Sequence, residues 1–292
     1  MSFADRVIRM RRASRVSELS DEDKSGDPQL VATAHIDIVA PREVQEVGKP
    51  RASSLKKACM RMHVIGTITN VHIPRYGSFK HKVTFGIGDA CHYWAQNTKF
   101  LFANRRVGWW RCTACNKVLY FGKPPKAKCS KCGARKEAIV YHEHFMNIKG
   151  VTGHPDLFLE VKKDLRIAEI KTMSAIQFVK LAAPLVEHEW QLLTYMDGSR
   201  VDKALPVKID HTVGYLIYLS KGWHTDMLPI KMYPVVYEPT IVKQIKAKIQ
   251  SYTDGLKGYP SVLPAPLKAC LPDFTSYTAR SCKCKQMCID LL

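Results

Sequence analysis

In the run Gly153-His154-Pro155-Asp156-Leu157-Phe158-Leu159-Glu160-Val161-Lys162-Lys163-Asp164-Leu165-Arg166-Ile167-Ala168-Glu169-Ile170-Lys171, Leu157, Leu159 and Val161 alternate with Asp156, Phe158 and Glu160. That period of two predicts a strand, and Leu165 to Thr172 predicts a second. With Lys162-Lys163 as a two-residue turn, Val161 faces Asp164, and the same register sets Asp156 opposite Glu169. Lys-Lys is a poor hairpin turn, and a slip of one residue would put Asp156 opposite Ile170. The spacing therefore predicts closeness and leaves the register open. Glu169 and Lys171 are two apart, so they share a face of the strand. Two carboxylates and an ammonium then converge. Carboxylate oxygens suit a hard cation such as Mg²⁺ or Mn²⁺, which polarises a phosphoryl oxygen and acidifies a bound water. Lys171 would orient that water or offset charge building on a phosphate. An exposed hairpin with ordinary charges has the same spacing, so these three residues alone are a weak signal.

Outward from this hairpin, Ser53 and Ser54 predict the cap of a short helix through Leu55, Ala58, Cys59 and Met62. A second helix is expected from Asp89 to about Ala103. Ser174 and Gln177 have capping-box spacing, and Pro184 interrupts the helix they start. A new helix resumes through His188, Trp190, Gln191 and Tyr195. Val213 to Leu219 predicts a strand, and Pro239 to Leu256 a helix with Gly258 near its stop. The tail from Pro260 reads as irregular. The stretch Ser17 to Pro28 reads as disordered. Helix, strands, helix and strand in that order predict an α/β core with insertions.

Charge narrows the partner. The chain carries 45 Lys+Arg and 26 Asp+Glu, a net +19. Residues 1–50 hold 8 basic and 9 acidic side chains, which leaves 37 basic and 17 acidic beyond them, a net +20 on the part that reads as folded. Such a surface attracts polyanions, nucleic acid first, with a steep salt dependence; a solubilising surface or lipid contact is the blander alternative. No apolar run approaches the ~18 residues of a membrane span, so no membrane partner is expected. Arg6, Arg9, Arg11 and Arg12 are followed by polar sequence rather than an apolar stretch, and a cytoplasmic location is expected.

Ten cysteines without a secretion signal predict metal binding rather than disulfides. Cys112-x-x-Cys115, thirteen residues, then Cys129-x-x-Cys132 is a strong pattern for Zn²⁺ held by two knuckles. A pair of redox dithiols is the alternative. Lys117, Lys123, Lys126, Lys128 and Lys131 surround this ribbon and would guide DNA. Cys270, Cys282, Cys284 and Cys288 crowd the C-terminus, and Cys59 and Cys91 stand apart.

Four of these segments together resemble the RecB-like branch of the PD-(D/E)XK nuclease superfamily, including the CRISPR-associated exonucleases with an iron–sulfur cluster. Gly153-His154-Pro155-Asp156 is similar to that family's Gly-x-x-Asp motif, and Glu169-Ile170-Lys171 to its Glu-x-Lys motif. Gln191-Leu192-Leu193-Thr194-Tyr195 is similar to its Gln-x-x-x-Tyr helix, whose face borders the substrate. Gly88-Asp89-Ala90-Cys91-His92 resembles the helix whose histidine binds metal. The resemblance implies Asp156, Glu169, Lys171, Gln191 and Tyr195 as catalytic residues. It implies His92, Glu143, Asp156 and Glu169 as ligands of Mg²⁺ or Mn²⁺.

In the iron–sulfur members, one cysteine precedes the nuclease core and three follow it. Ser54-Leu55-x-x-x-Cys59-x-Arg61 resembles the first half of that clamp. The resemblance then implies Cys59, Cys270, Cys282 and Cys288 as ligands of a 4Fe-4S cluster, with Cys284 as an alternative to Cys282 or Cys270. Free thiols or a second zinc site are the alternatives.

The fold expected is an α/β restriction-endonuclease-like core, a central mixed sheet flanked by helices. Residues 1–50 form a largely disordered or extended segment, 51–107 the N-terminal helical part, 108–136 an inserted zinc ribbon, 137–258 the nuclease core and 259–292 an iron–sulfur segment. The activity expected is a metal-dependent DNA exonuclease acting at single- or double-stranded ends, in recombination, repair or DNA degradation. A phage-encoded enzyme in a host cytoplasm would suit the ribbon and the short length. No phosphate-binding Gly-x-x-x-x-Gly-Lys-Ser/Thr loop is present, so unwinding falls to a helicase or recombination partner. A ring-shaped oligomer would account for processivity. The rival is a zinc-ribbon nucleic-acid-binding protein whose nuclease-like core is inactive.

Overall fold

The computed structural model describes residues 44–46, 48–74, 79–98, 101–102, 104–222, 229–271 and 273–292. The disorder expected over Ser17 to Pro28 lies outside the described residues, as does Ala103, the expected end of the second helix. The chain divides into two compact units, 1–44 with 74–85, and 45–73 with 86–292. Everything below concerns the second.

In chain order the elements are β1 (Val44–Glu46), α1 (Met60–Ile68), β2 (His72–Pro74), α2 (Phe79–Asn97, of which Gly86 onward belongs to the second unit), β3 (Arg106–Cys112), β4 (Val118–Gly122), β5 (Ile139–His142), β6 (Met146–Ile148), β7 (Val151–Gly153), β8 (Leu157–Val161) and β9 (Asp164–Met173). There follow α3 (Ala175–Lys180), α4 (Val186–Ser199), β10 (Val213–Ser220), β11 (Ile230–Val236), α5 (Pro239–Gly258), α6 (Tyr277–Arg280) and α7 (Lys285–Asp290).

Seven strands form a mixed sheet in the order β11-β10-β9-β8-β3-β4, with β5 also on β3. Strands β9 and β10 are parallel and the other pairs antiparallel. The parallel pair is joined through α3 and α4, as a parallel connection requires. Side chains alternate across the sheet. Phe158, Ile167, Leu216 and Tyr218 enter a core with Trp190 and Leu193 of α4 and Ile245 and Ile249 of α5. Leu157, Leu159, Ala168, Ile170, Ile217 and Leu219 enter a second core with Ala95 of α2 and with Cys112 and Cys129. The result is an α/β fold with a mixed sheet flanked by helices.

The Lys162-Lys163 turn forms, with Val161 paired to Asp164 and Leu157 to Ala168. Lys162 takes a left-handed backbone at φ 60°, a conformation a lysine tolerates only under constraint. Asp156 lies one residue beyond the last pair of this ladder, on the register that faces Glu169.

Three helix boundaries differ from the sequence expectation. Ser53 and Ser54 belong to a 3₁₀ turn over Ala52–Ser54, and Ser54 Oγ donates back to the Arg51 carbonyl instead of capping a helix. The helix starts only at Met60, with Cys59 at its N-cap. Helix α2 runs Phe79–Asn97, not Asp89 to Ala103. Its end is fixed by a side chain from β3: Arg106 donates to the carbonyls of Ala95 (2.8 Å) and Thr98 (3.2 and 3.3 Å). The tail beyond Pro260 is not wholly irregular, since α6 and α7 form within it. Among the described residues no helix is long and apolar enough to cross a membrane.

Candidate active site

Asp156 precedes β8, and its Oδ2 accepts a hydrogen bond from the Ile170 backbone N–H of β9 (2.7 Å). That bond stitches the Gly-x-x-Asp segment to the strand carrying Glu169 and Lys171. Glu169 and Lys171 alternate with the core residues Ala168 and Ile170 and turn toward α4. Lys171 Nζ donates to Glu169 Oε1 (2.8 Å) and to Gln191 Oε1 (2.7 Å). Gln191 Nε2 donates to the same Glu169 oxygen (2.6 Å) and to the Tyr195 hydroxyl (3.2 Å). Gln191 and Tyr195 stand one turn apart on α4, on one face.

Tyr195 also explains the glycine of Gly-x-x-Asp. A Cβ at Gly153 would come within 2.5 Å of the Tyr195 hydroxyl. Only glycine lets β7 approach α4 this closely.

Helix α2 supplies the other side. His92 Nδ1 lies 3.2 Å from Asp156 Oδ1. One turn on, Gln96 Nε2 donates to Glu143 Oε1 (2.7 Å) and to the Asp156 backbone carbonyl (3.1 Å). His92, Glu143 and Asp156 each bring a ligand atom within 4.8 Å of the others. Glu169 is outside that tight trio, yet close enough for the Asp156 charge to act on it.

The electrostatics are those of charges crowded away from water. Burial, then the neighbouring Asp156 charge, pushes the Glu169 carboxyl well above the ordinary carboxylate range, although Lys171 opposes this. Burial and Asp156 raise Glu143 in the same way. Burial pulls His92 down, but its hydrogen bond to Asp156 and the Asp156 charge overcome that, and the net shift is upward. Burial opposes the Lys171 charge, and Glu169 and Asp156 more than restore it.

Glu169 Oε2 is buried and has no hydrogen-bond partner among the described residues. A buried carboxylate oxygen left without a donor is expensive, on the order of 1–3 kcal/mol or more. A divalent cation removes that penalty, offsets the repulsion between Asp156, Glu143 and Glu169, and is suited by a set of carboxylate oxygens with one imidazole. The residues therefore fit such an ion.

Two residues of this neighbourhood escaped the sequence reading. Gln96 was detectable as the residue one helical turn beyond His92. Arg106 carried no local signal, because its role as a cap on α2 depends on how β3 packs.

The ribbon cysteines are close-set. Cys112 Sγ lies 3.7 Å from Cys132 Sγ, and Cys115 Sγ 3.9 Å from Cys129 Sγ. A tetrahedron of sulfurs about 2.3 Å from a zinc ion has edges of about 3.8 Å, so the four fit Zn²⁺. The Lys131 backbone N–H donates to Cys129 Sγ (3.4 Å), and Gly133 supplies the left-handed residue that closes this knuckle (φ 73°). Strand β3, which ends on Cys112, pairs with β4, β5 and β8, so the ribbon shares a strand with the central sheet.

The terminal cysteines are arranged differently. Cys59, Cys270, Cys282 and Cys288 line one pocket together with Met62, Leu267 and Phe274. Cys284 is not in its lining, and its thiol turns to the Met62 carbonyl (3.7 Å). These four do not form a tight trio or quartet of the kind found in the ribbon. Arg61, 5% exposed, donates to Cys288 Sγ (3.1 Å) and to the carbonyls of Pro264, Cys288 and Leu291. Cys91 packs against the core under α2.

No protein-family model matches the chain, and no curated protein matches it in sequence. Among solved structures it is similar to the crystal structure of an alkaline exonuclease from Laribacter hongkongensis, with 12% identity and a TM-score of 0.43 over 73% of this chain and 89% of that chain. The structure of that exonuclease in complex with dAMP gives 13% identity and a TM-score of 0.40, with the same coverage.

Proposed function

We propose that the chain is a metal-dependent deoxyribonuclease of the PD-(D/E)XK type that hydrolyses phosphodiester bonds at DNA ends. The observation that carries this is the convergence of Asp156, Glu169 and Lys171, with a buried, partnerless oxygen on Glu169. His92, Glu143, Asp156 and Glu169 would hold Mg²⁺ or Mn²⁺. When bound, such a cation supplies Lewis acidity toward a phosphoryl oxygen and acidifies water.

The protein's own groups do the rest. Gln191 clamps Glu169 through one amide proton and Tyr195 through the other, which fixes the carboxylate's direction. Lys171, kept charged by Glu169 and Asp156, presents an ammonium where negative charge builds on a phosphate. Gln96 holds Glu143 and the Asp156 backbone in line with His92. In the same reading the ribbon holds Zn²⁺, and Cys59, Cys270, Cys282 and Cys288 hold a 4Fe-4S cluster of structural role.

The test uses end-labelled linear DNA and a closed circle of the same sequence, with Mg²⁺, Mn²⁺ or EDTA. The expected result is cation-dependent release of nucleotides from linear DNA and little attack on the circle. Protein with its zinc and iron in place that binds DNA but never cuts it, with either cation, would leave only the binding-module reading.

A further inference from the structure

A cleft of about 1040 Å³ opens beside the β6–β7 hairpin, between the end of α4 with the loop after it and the outer face of α5. Its lining is largely apolar, with Ile148 and the exposed Val201 set over the buried Met146 and Ile249. Its rim is cationic, with Lys149, Arg200, Lys203, Lys243 and Lys246 against two carboxylates. Both carboxylates are already engaged. Asp197 accepts from the Tyr237 hydroxyl (2.7 Å) and pairs with Lys246 (3.0 Å). Asp202 pairs with His144 (2.7 Å) and accepts from the Ala204 backbone N–H (2.9 Å). The Arg200 guanidinium donates to the Tyr237 hydroxyl (3.3 Å). Among the described residues, the side chains of Lys149, Lys203 and Lys243 have no hydrogen-bond or ion-pair partner.

An apolar lining under a rim that carries three uncommitted lysines suits a ligand that alternates apolar and anionic parts. A nucleic acid strand does so once its bases are unstacked, with bases on the lining and phosphates at the rim. A duplex hides its bases and gains nothing from the lining. The volume is at the upper end of the roughly 300–1,000 Å³ of small-molecule sites, which leaves room for more than one nucleotide.

The cleft is also tied to the active site. Its wall, Met146 to Lys149, pairs through β6 and β7 with Gly153, three residues before Asp156. Three residues reach at most about 10 Å even when fully extended, a short distance along one strand of DNA. We propose that this cleft binds the single DNA strand leading to or from the scissile phosphate. The assignment rests on the nuclease reading for the identity of the ligand, and makes Lys149, Lys203 and Lys243 strand-positioning residues.

The test measures binding rather than cleavage. Full-length protein carrying Asp156→Ala, which holds DNA without digesting it, is titrated with a fluorescein-labelled single strand and with a blunt duplex of equal length, across a salt series. Adding Lys149→Ala, Lys203→Ala and Lys243→Ala is expected to weaken single-strand binding about tenfold and to lower the salt slope by about 2, since each lost phosphate contact removes ~0.7. Duplex binding is expected to change much less. Lys203→Glu alone, in an exposed loop, is expected to weaken single-strand binding as well. Unchanged single-strand affinity and slope, or an equal loss on the duplex, would overturn the proposal. A failure of the nuclease reading has a different signature: wild-type protein that does not cut.

Discussion

The cysteine ribbon and the carboxylate site gather their candidate ligands in opposite ways. The ribbon takes four like ligands from two short knuckles, and each knuckle closes its own turn with local backbone bonds. The carboxylate site takes unlike ligands from α2, the loop before β6, the segment before β8, and β9. Only the hairpin joins two of them directly, through the bond from the Ile170 N–H to Asp156. They are held by Gln96, Gln191, Tyr195 and Arg106, each reaching from another element. The ribbon should therefore stabilise the fold when filled. The carboxylate site should strain the fold when empty, since it keeps raised carboxyls and an orphaned oxygen out of water.

The largest expected effect sharpens this contrast. Asp156→Ala should reduce cation-dependent cleavage by about 10³-fold or more, a barrier increase of about 4 kcal/mol, while the melting temperature falls by only a few degrees, the cost of the lost Ile170 bond. A parallel collapse of melting temperature and activity would mean that the site is structural after all.

Cys129→Ser should do the reverse. Losing zinc frees the ribbon, and β3 carries the disturbance into the central sheet. A loss of about 3 kcal/mol would lower the melting temperature by about 5 °C in a chain of 292 residues. Calorimetry with zinc analysis checks it, and zinc-free protein that melts like wild type would break the contrast.

Arg106→Met falls between the two. It removes hydrogen bonds from a buried guanidinium to the end of α2, each worth about 1.5–3 kcal/mol where a charge is involved. Because α2 carries His92, affinity for Mn²⁺ should fall about tenfold as well, the usual scale for losing a group that orients a ligand. Denaturant melts read the stability and isothermal titration the Mn²⁺ affinity, and a stability loss with unchanged affinity would uncouple Arg106 from the site.

The smallest effect has the opposite sign. The folded-state pKa of Glu169 is raised, so its contribution to stability is full below the ordinary carboxyl value of 4.5 and is lost as pH rises through the folded value. Glu169→Gln removes that loss. At neutral pH and above, the metal-free variant should be more stable than metal-free wild type, by about 1 kcal/mol or more for relief of the unpartnered buried oxygen. Denaturant melts at several pH values read the difference, and it should vanish at acidic pH. Added Mn²⁺ should stabilise the wild type and not the variant.

The same contrast governs what the sequence reveals. Ribbon ligands are legible because Cys-x-x-Cys encodes a turn and its chemistry in one place. The hairpin from Asp156 to Lys171 is legible because a strand's period survives in the residue order, although Lys162-Lys163 gives no hint that its turn can form. Gln96 and Arg106 are much harder to see. Their partners are backbone carbonyls and a carboxylate brought near by packing. The end of α2 was misplaced for the same reason, since the residue that caps it lies on the following strand. The C-terminal cysteines are an intermediate case. Spacing could not choose among Cys270, Cys282 and Cys284, whereas the packed tail turns Cys284 away from the pocket that the others line with Cys59 and Cys288.

The most direct measurement is anomalous scattering from a crystal of the full chain soaked in Mn²⁺. A manganese peak is expected in contact with carboxylate oxygens of both Asp156 and Glu169, at about 2.1 Å as for a small hard cation, and it should be lost in Asp156→Ala crystals. Manganese absent from that position at saturating concentration, with those two carboxylates still facing each other, would contradict it.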